Sequence, residues 1–261
     1  MLLVSDVHGA FDDLARVAAM GEPLLVLGDL LNFVDYRTFD GMLADVAGKE
    51  FVAEMNRLRE SGDRNGSRRL WHEFRDGRED EIQARYDALI EEAYGRMRDA
   101  LTGCEAYVTY GNVDRPDVLE RYLPDGVRYV DGEVVELEGL RIGIVGGGVR
   151  ALGVPGEVAD EDMAAKLDAL GPVDMLCTHV APAVRPLSRD VIGRRIKESQ
   201  PVLDYLREHR PHWHYFGDIR QPQATTWRVG PTTCINVGYF RATGRPVRHG
   251  AVLESDGPSV E

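Results

Sequence analysis

The chain has 261 residues, enough for one large α/β domain or a domain carrying a substantial insertion. Hydrophobic residues make up 43% and charged residues 29%, an ordinary globular composition. The net charge of −13 repels nucleic acid at long range and argues against any extended phosphate-backbone partner. A small phosphorylated substrate stays open, because a metal and a few arginines can reverse the local field. No apolar stretch approaches the ~20 residues that span a membrane. The apolar start, Met1 to Val4, lacks the charged n-region and long h-region of a signal peptide. Cys104, Cys177 and Cys234 are odd in number and far apart, which predicts buried reduced thiols in a cytoplasmic protein.

In chain order, residues 1–4 predict a short buried strand running into Ser5-Asp6. Phe11, Leu14, Val17 and Ala18 predict a helix over residues 10–20. Leu24 to Leu27 predict a second buried strand, closed by Gly28-Asp29, and the strand–helix–strand order predicts a parallel pair. Residues ~33–103 then show helical spacing only: Phe51, Val52, Met55 and Leu58, and later Ile82, Tyr86, Leu89, Ile90, Ala93, Met97 and Leu101. Between these, the polar, Arg-rich stretch from Ser61 to Arg69 reads as a loop, and the whole region as a helical insertion in a single domain. Strands resume at Ala106–Tyr110, before Gly111-Asn112, and residues 127–146 read as a hairpin and strand. A helix at ~158–170, a strand from Val173 to Thr178, a helix at ~198–209 and a strand from His212 to Phe216 follow. The end of the chain predicts strands at Thr225–Val229, Thr233–Val237 and Gly250–Glu254.

Five of these apolar runs end alike, in Asp, His or Asn: Asp6-Val7-His8, Asp29, Asn112, His179 and Asp218. In α/β sheets, ligands bind beyond the carboxyl ends of the strands, so these groups would converge. Three carboxylates at one place repel and protonate unless a cation joins them. Carboxylate, imidazole and amide oxygen without thiolate suit Mn, Fe, Zn or Mg. Singly, each residue is also an ordinary turn or cap residue; their order and common position carry the argument.

Asp6-x-His8-Gly9, Gly28-Asp29, Gly111-Asn112-x-Asp114 and Thr178-His179 resemble the successive signature blocks of calcineurin-like metallophosphoesterases, and Asn236-Val237-Gly238 resembles that family's late Asn-x-Gly turn. The blocks occur in the family's order and span nearly the whole chain apart from the insertion. The resemblance implies a four-layer α/β/β/α sandwich with the helical insertion as a cap. It implies one or two divalent metal ions, the first held by Asp6 and His8, the second by Asn112 and His179, with Asp29 bridging. The implied activity is hydrolysis of a phosphoester by a metal-activated hydroxide, with Asp29 and Asn112 in the catalytic set.

Two positions depart from the family. Val113 stands where the family commonly has a protonating His, which favours phosphodiesters with good leaving groups over monoesters; a lost general acid costs about 10²–10⁴-fold. Gly217-Asp218-Ile219-Arg220 replaces the family's Gly-His-x-His. Asp218 can serve the second metal, but a guanidinium has no lone pair, so Arg220 is no ligand. It faces substrate phosphate with weakened first-metal occupancy, or pairs with an acid in a dead site. The alternative to an enzyme is therefore a catalytically degenerate binding or scaffold protein on the same fold. His214 lies about 13 Å along a strand from Asp218 and reads as a core histidine. The insertion's Arg57, Arg59, Arg64, Arg68, Arg69, Arg75 and Arg78 read as a solvated face or as contacts to a second phosphate, and Trp71 and Phe74 as core or as stacking groups.

Overall fold

A computed structural model describes residues 1–151, 153–191 and 195–250, with Arg64 described in its backbone only. The elements in order are β1 (Leu2–Val4), α1 (Phe11–Ala18), β2 (Leu24–Leu27), α2 (Met42–Ala47), α3 (Lys49–Glu60), α4 (Arg64–Arg75), α5 (Glu79–Leu101) and β3 (Ala106–Thr109). Next come α6 (Pro116–Leu119), β4 (Val127–Tyr129), β5 (Glu133–Leu137), β6 (Leu140–Val145), β7 (Gly148–Val149), β8 (Glu157–Val158), α7 (Asp160–Leu170) and β9 (Met175–Thr178). The last are α8 (Arg185–Ser188), α9 (Gln200–His209), β10 (Trp213–Phe216), β11 (Thr226–Val229), β12 (Thr232–Asn236), α10 (Phe240–Thr243) and β13 (Val247–Arg248). The chain divides into two compact units, one of Met1–Leu30 with everything from Met97 on, the other Leu31–Arg96. The sequence placed its insertion at about 33–103.

The first unit is a mixed α/β fold built on two sheets. One runs β13-β1-β2-β3-β4, parallel from β1 to β4. The other runs β11-β12-β10-β9-β6-β5, parallel from β12 to β6 and antiparallel at both edges. A parallel sheet covered on both faces needs near-continuous apolar strands, and Leu24–Leu27 and Met175–Thr178 are buried at every residue. Leu3, Leu25 and Leu27 of the first sheet pack with Ile142, Ile144, Met175, Cys177, Tyr215 and Ile235 of the second in one cluster, so the sheets share a core. The alternate residues of the second sheet, including Val145, Leu176 and Phe216, pack with Met163, Leu167, Val202 and Leu206 of α7 and α9.

The unit Leu31–Arg96 is helical. Leu43, Ala44 and Val52 form a small core with Phe51 and Trp71. Phe51, Trp71 and Phe74 lie within 4.9–6.0 Å of one another, centroid to centroid, so Trp71 and Phe74 are packing groups here. The stretch read as a loop from Ser61 to Arg69 is helical from Arg64 on. Its start is capped by the Asp63 carboxylate, which accepts from the Gly66 N–H at 2.8 Å. Ile82, Tyr86 and Ile90 of α5 are buried at i, i+4 spacing, with Tyr94 completing the stripe.

The strand read at Gly250–Glu254 lies outside the described residues beyond Gly250. β13 is a short strand that the sequence pattern missed. All three thiols are free, Cys177 and Cys234 buried and Cys104 half-buried. No helix among the described residues is long and apolar enough to cross a membrane.

Leu25 is fully buried between the two sheets. Truncation by Leu25→Ala should lower stability by about 2–5 kcal/mol, read as a fall in the urea midpoint at unchanged slope.

Candidate metal centre

The parallel strands bring their carboxyl ends to a common edge within each sheet. β1, β2 and β3 lead into Asp6-Val7-His8, Asp29 and Asn112; β9 and β10 lead into His179 and Asp218. The structure brings all of these together. Asp6, His8 and Asp29 each offer one ligand atom within 4.8 Å of the others, and so do Asp29, His179 and Asp218. Asp29 belongs to both groups. His8 Nε2 is 3.6 Å from Asp6 Oδ1 and 3.5 Å from Asp29 Oδ2; His179 Nε2 is 3.4 Å from Asp29 Oδ1 and 3.8 Å from Asp218 Oδ1. Asn112 Oδ1 stands 3.4 Å from His179 Nε2. These separations are too long for good hydrogen bonds and leave room for an ion among the ligand atoms.

The backbone is bent to make this possible. Asp6, His8, Asp29 and Asp218 all have positive φ, 58°, 42°, 53° and 64°. Each such non-glycine residue costs about 1–3 kcal/mol and persists only where its surroundings over-determine it. Here the determinants are backbone bonds between loops: Asp6 N donates to Gly28 O (3.1 Å), His8 N to Asp29 O (2.8 Å), and Arg241 N to Asp6 O (3.1 Å). Gly111 is required by close approach, since a Cβ there would stand 2.2 Å from Asp29 Oδ1 and 2.6 Å from His179 Cε1. Gly217 likewise brings its backbone against Ser5 and Asp6.

Hydrogen bonds aim the side chains. Val113 N donates to Asp29 Oδ1 (3.1 Å), and Asp218 N donates to Asp6 Oδ2 (2.9 Å). Asp114, which the sequence motif included without a role, accepts from Gly111 N (2.8 Å) and Leu30 N (2.9 Å) and so ties the Asp29 loop to the Asn112 loop. His179 Nδ1 lies 2.8 Å from the Leu27 carbonyl, which can only accept, so Nδ1 carries a proton and Nε2 is the nitrogen turned to the cluster, with a lone pair to give when the ring is neutral.

Asp6, Asp29 and Asp218 are 1%, 3% and 5% exposed. Burial alone opposes the charge on Asp6. The neighbouring His8, His179 and Arg220 outweigh it and hold the carboxyl well below the usual range. Asp218 Oδ2 is buried without a hydrogen-bond partner among the described residues. A bare, buried carboxylate oxygen beside an imidazole and a second carboxylate is the donor set a hard or borderline cation requires, so the residues fit a divalent metal.

Two cations of the chain enter the cluster. Arg220 Nη2 is 3.1 Å from His8 Nε2, which must accept, and the guanidinium lies 5.8 Å from the Tyr239 ring centroid. The Lys197 ammonium donates to Asp218 Oδ1. Lys197 sits in a polar run with no strand-end pattern, and nothing in the sequence singles it out. His214 is a buried core histidine, Nε2 2.9 Å from Thr178 Oγ1, its pKa pushed down to about 3 by burial.

No family model matches this chain, and no curated protein does. Solved structures do. One, 16% identical in sequence, superposes with a TM-score of 0.56 over 92% of this chain and 90% of its own. The protein TT1561 of Thermus thermophilus is 9% identical, with a TM-score of 0.48 over 94% of this chain and 96% of its own. The first likeness is one of fold: a mixed α/β architecture that holds a buried Asp/His cluster able to bind a metal ion in this chain.

Burial by itself depresses the His179 pKa, but the charges of Asp29, Asp218 and Asp6 and the bond to Leu27 raise it above the ordinary 6.5. In metal-free protein the charged ring therefore stabilises the fold fully below pH 6.5, and that contribution fades as pH rises through the folded-state value. With chelator present, His179→Asn should lose more stability relative to wild type at about pH 5.5 than at about pH 9. Thermal melts at the two pH values check this, and an equal loss at both would contradict it.

Proposed function

We propose that this protein is a metal-dependent phosphoesterase of the calcineurin-like kind, on that family's four-layer sandwich, with phosphodiesters favoured over monoesters. The observation that carries the reading is the pair of buried triads, Asp6–His8–Asp29 and Asp29–His179–Asp218, joined through one carboxylate and containing a buried oxygen without a hydrogen-bond partner among the described residues. One or two ions of Mn, Fe, Zn or Mg would be held by Asp6, His8, Asp29, Asn112, His179 and Asp218. Bound there, such ions supply Lewis-acid polarisation of a phosphoryl oxygen and acidification of water.

The chain's own residues do the rest. The Val113 N–H fixes the shared Asp29 carboxylate, and the Leu27 carbonyl fixes the His179 tautomer. Arg220, seated between His8 and Tyr239, offers a fork of donors to a substrate phosphate. The Val113 side chain gives no proton to a leaving group, which is why activated diesters suit the site. The partner is a small phosphorylated molecule, and the setting is cytoplasmic.

One observation favours a second reading, a degenerate binding or scaffold protein. Arg220 donates to the same His8 lone pair that a first metal would need. Turnover separates the two. With added Mn²⁺ the protein should hydrolyse bis(p-nitrophenyl) phosphate. Asp29→Ala should lower that rate by more than about 100-fold, beyond the ~10–100-fold typical of a lost outer-shell partner. A folded protein that binds no divalent ion and turns over no diester would instead be the scaffold. Arg220→His should raise metal stoichiometry, measured by elemental analysis after gel filtration; unchanged stoichiometry would reject the role given to that position.

A further inference from the structure

One cation at the centre has no part in the reading above. The backbone around Lys197 is fastened on both sides. Lys197 N donates to Ser188 O (3.0 Å), Ile196 bridges to Arg189, and Ser199 N donates to Ala181 O (2.9 Å), two residues beyond His179. Ser188 Oγ adds a 2.9 Å bond to the Glu198 carboxylate. The stretch is thus held against α8 and the strand end that carries His179, and the side chain is directed at Asp218.

The contact falls on a particular atom. Lys197 donates to Oδ1 of Asp218, the oxygen that is also 3.8 Å from His179 Nε2, while Oδ2 of the same carboxylate is left without a partner among the described residues. An ammonium and a divalent ion on one carboxylate repel strongly at such distances in a buried setting. Lys197 keeps 36% of its side chain exposed on a flexible four-carbon stem, so its charge has a route to solvent, whereas the Asp218 side chain at 1% has none.

We infer that Lys197 is a tethered cation that competes with a divalent ion for the Asp29–His179–Asp218 half of the centre. It holds Asp218 charged and in place while no ion is bound, and it yields when one binds. The inference rests on the metal-site reading and adds to it a threshold for occupancy written into the chain. The half formed by Asp6, His8 and Asp29 is guarded differently: there Arg220 meets an imidazole nitrogen, not a carboxylate.

The test is calorimetric titration of Mn²⁺ into the chelator-treated full chain, for wild type, Lys197→Met and Lys197→Arg, with melting temperatures recorded in chelator and in saturating Mn²⁺. Lys197→Met should bind Mn²⁺ about tenfold more tightly or better, while Lys197→Arg, which keeps the charge, stays near wild type. In chelator Lys197→Met should melt below wild type, and saturating Mn²⁺ should remove that deficit. If Lys197→Met can be purified only in its loaded form, the chelator concentration that strips it, compared with wild type, gives the same measure. Equal or weaker binding by Lys197→Met overturns the inference and leaves the metal reading standing. Absence of Mn²⁺ binding by wild type and both variants overturns the metal reading, and the inference with it.

Discussion

Asp6, Asp29 and Asp218 are buried beside one another, and three carboxylates so placed do not stay ionised without positive charge among them. That electrostatic requirement organises the centre. Within the chain it is met by Arg220 at His8, Lys197 at Asp218, and a His179 ring whose pKa is raised by the surrounding acids. Left-handed backbone at four of the strand-end residues and a backbone pressed against Asp29 at Gly111 are the local costs of holding the acids this close.

The centre is assembled from both sheets, so their shared core sets its dimensions. Asp6, Asp29 and Asn112 come from the sheet of β1, β2 and β3; His179 and Asp218 come from the sheet of β9 and β10. Two of the bonds that shape the site run between sheets, His179 Nδ1 to the Leu27 carbonyl and Asp218 N to Asp6 Oδ2. Leu27 itself belongs to the apolar cluster between the sheets. A void there would move one half of the ligand set relative to the other. The core between the sheets is therefore also what positions the two halves of the centre.

The strand-end residues were legible because an apolar run that stops at Asp, His or Asn is visible without knowing how the sheets pair. Parallel order then brings the ends together, and the structure does so for all six proposed ligands. Lys197 was not legible. It reaches Asp218 across 21 residues from a polar stretch with no periodicity, through bonds to α8 and to the chain after His179 that only the folded state reveals. Helix α4 was missed for a local reason: Asn65, Gly66 and Ser67 at its start have weak helix propensity, and the Asp63 cap and the packing of Trp71 on Phe51 override it. Arg220 was legible as a departure, but its partner within the chain was not, since His8 rather than an acid receives its hydrogen bond.

The two departures, Val113 and Arg220, look at first like separate losses. Charge links Arg220 to Lys197 instead. Three carboxylates against Arg220 and Lys197 leave one negative charge, and a protonated His179 cancels it; the metal-free centre is close to neutral from its own side chains. On the metal reading, an entering divalent ion would have to displace positive charge already in the centre, because adding two charges to a balanced, buried cluster is unfavourable. A centre built only of acids and neutral imidazoles would bind an ion as soon as it met one. On the metal reading, occupancy of this centre would depend on ion concentration and on how readily the two cations give way.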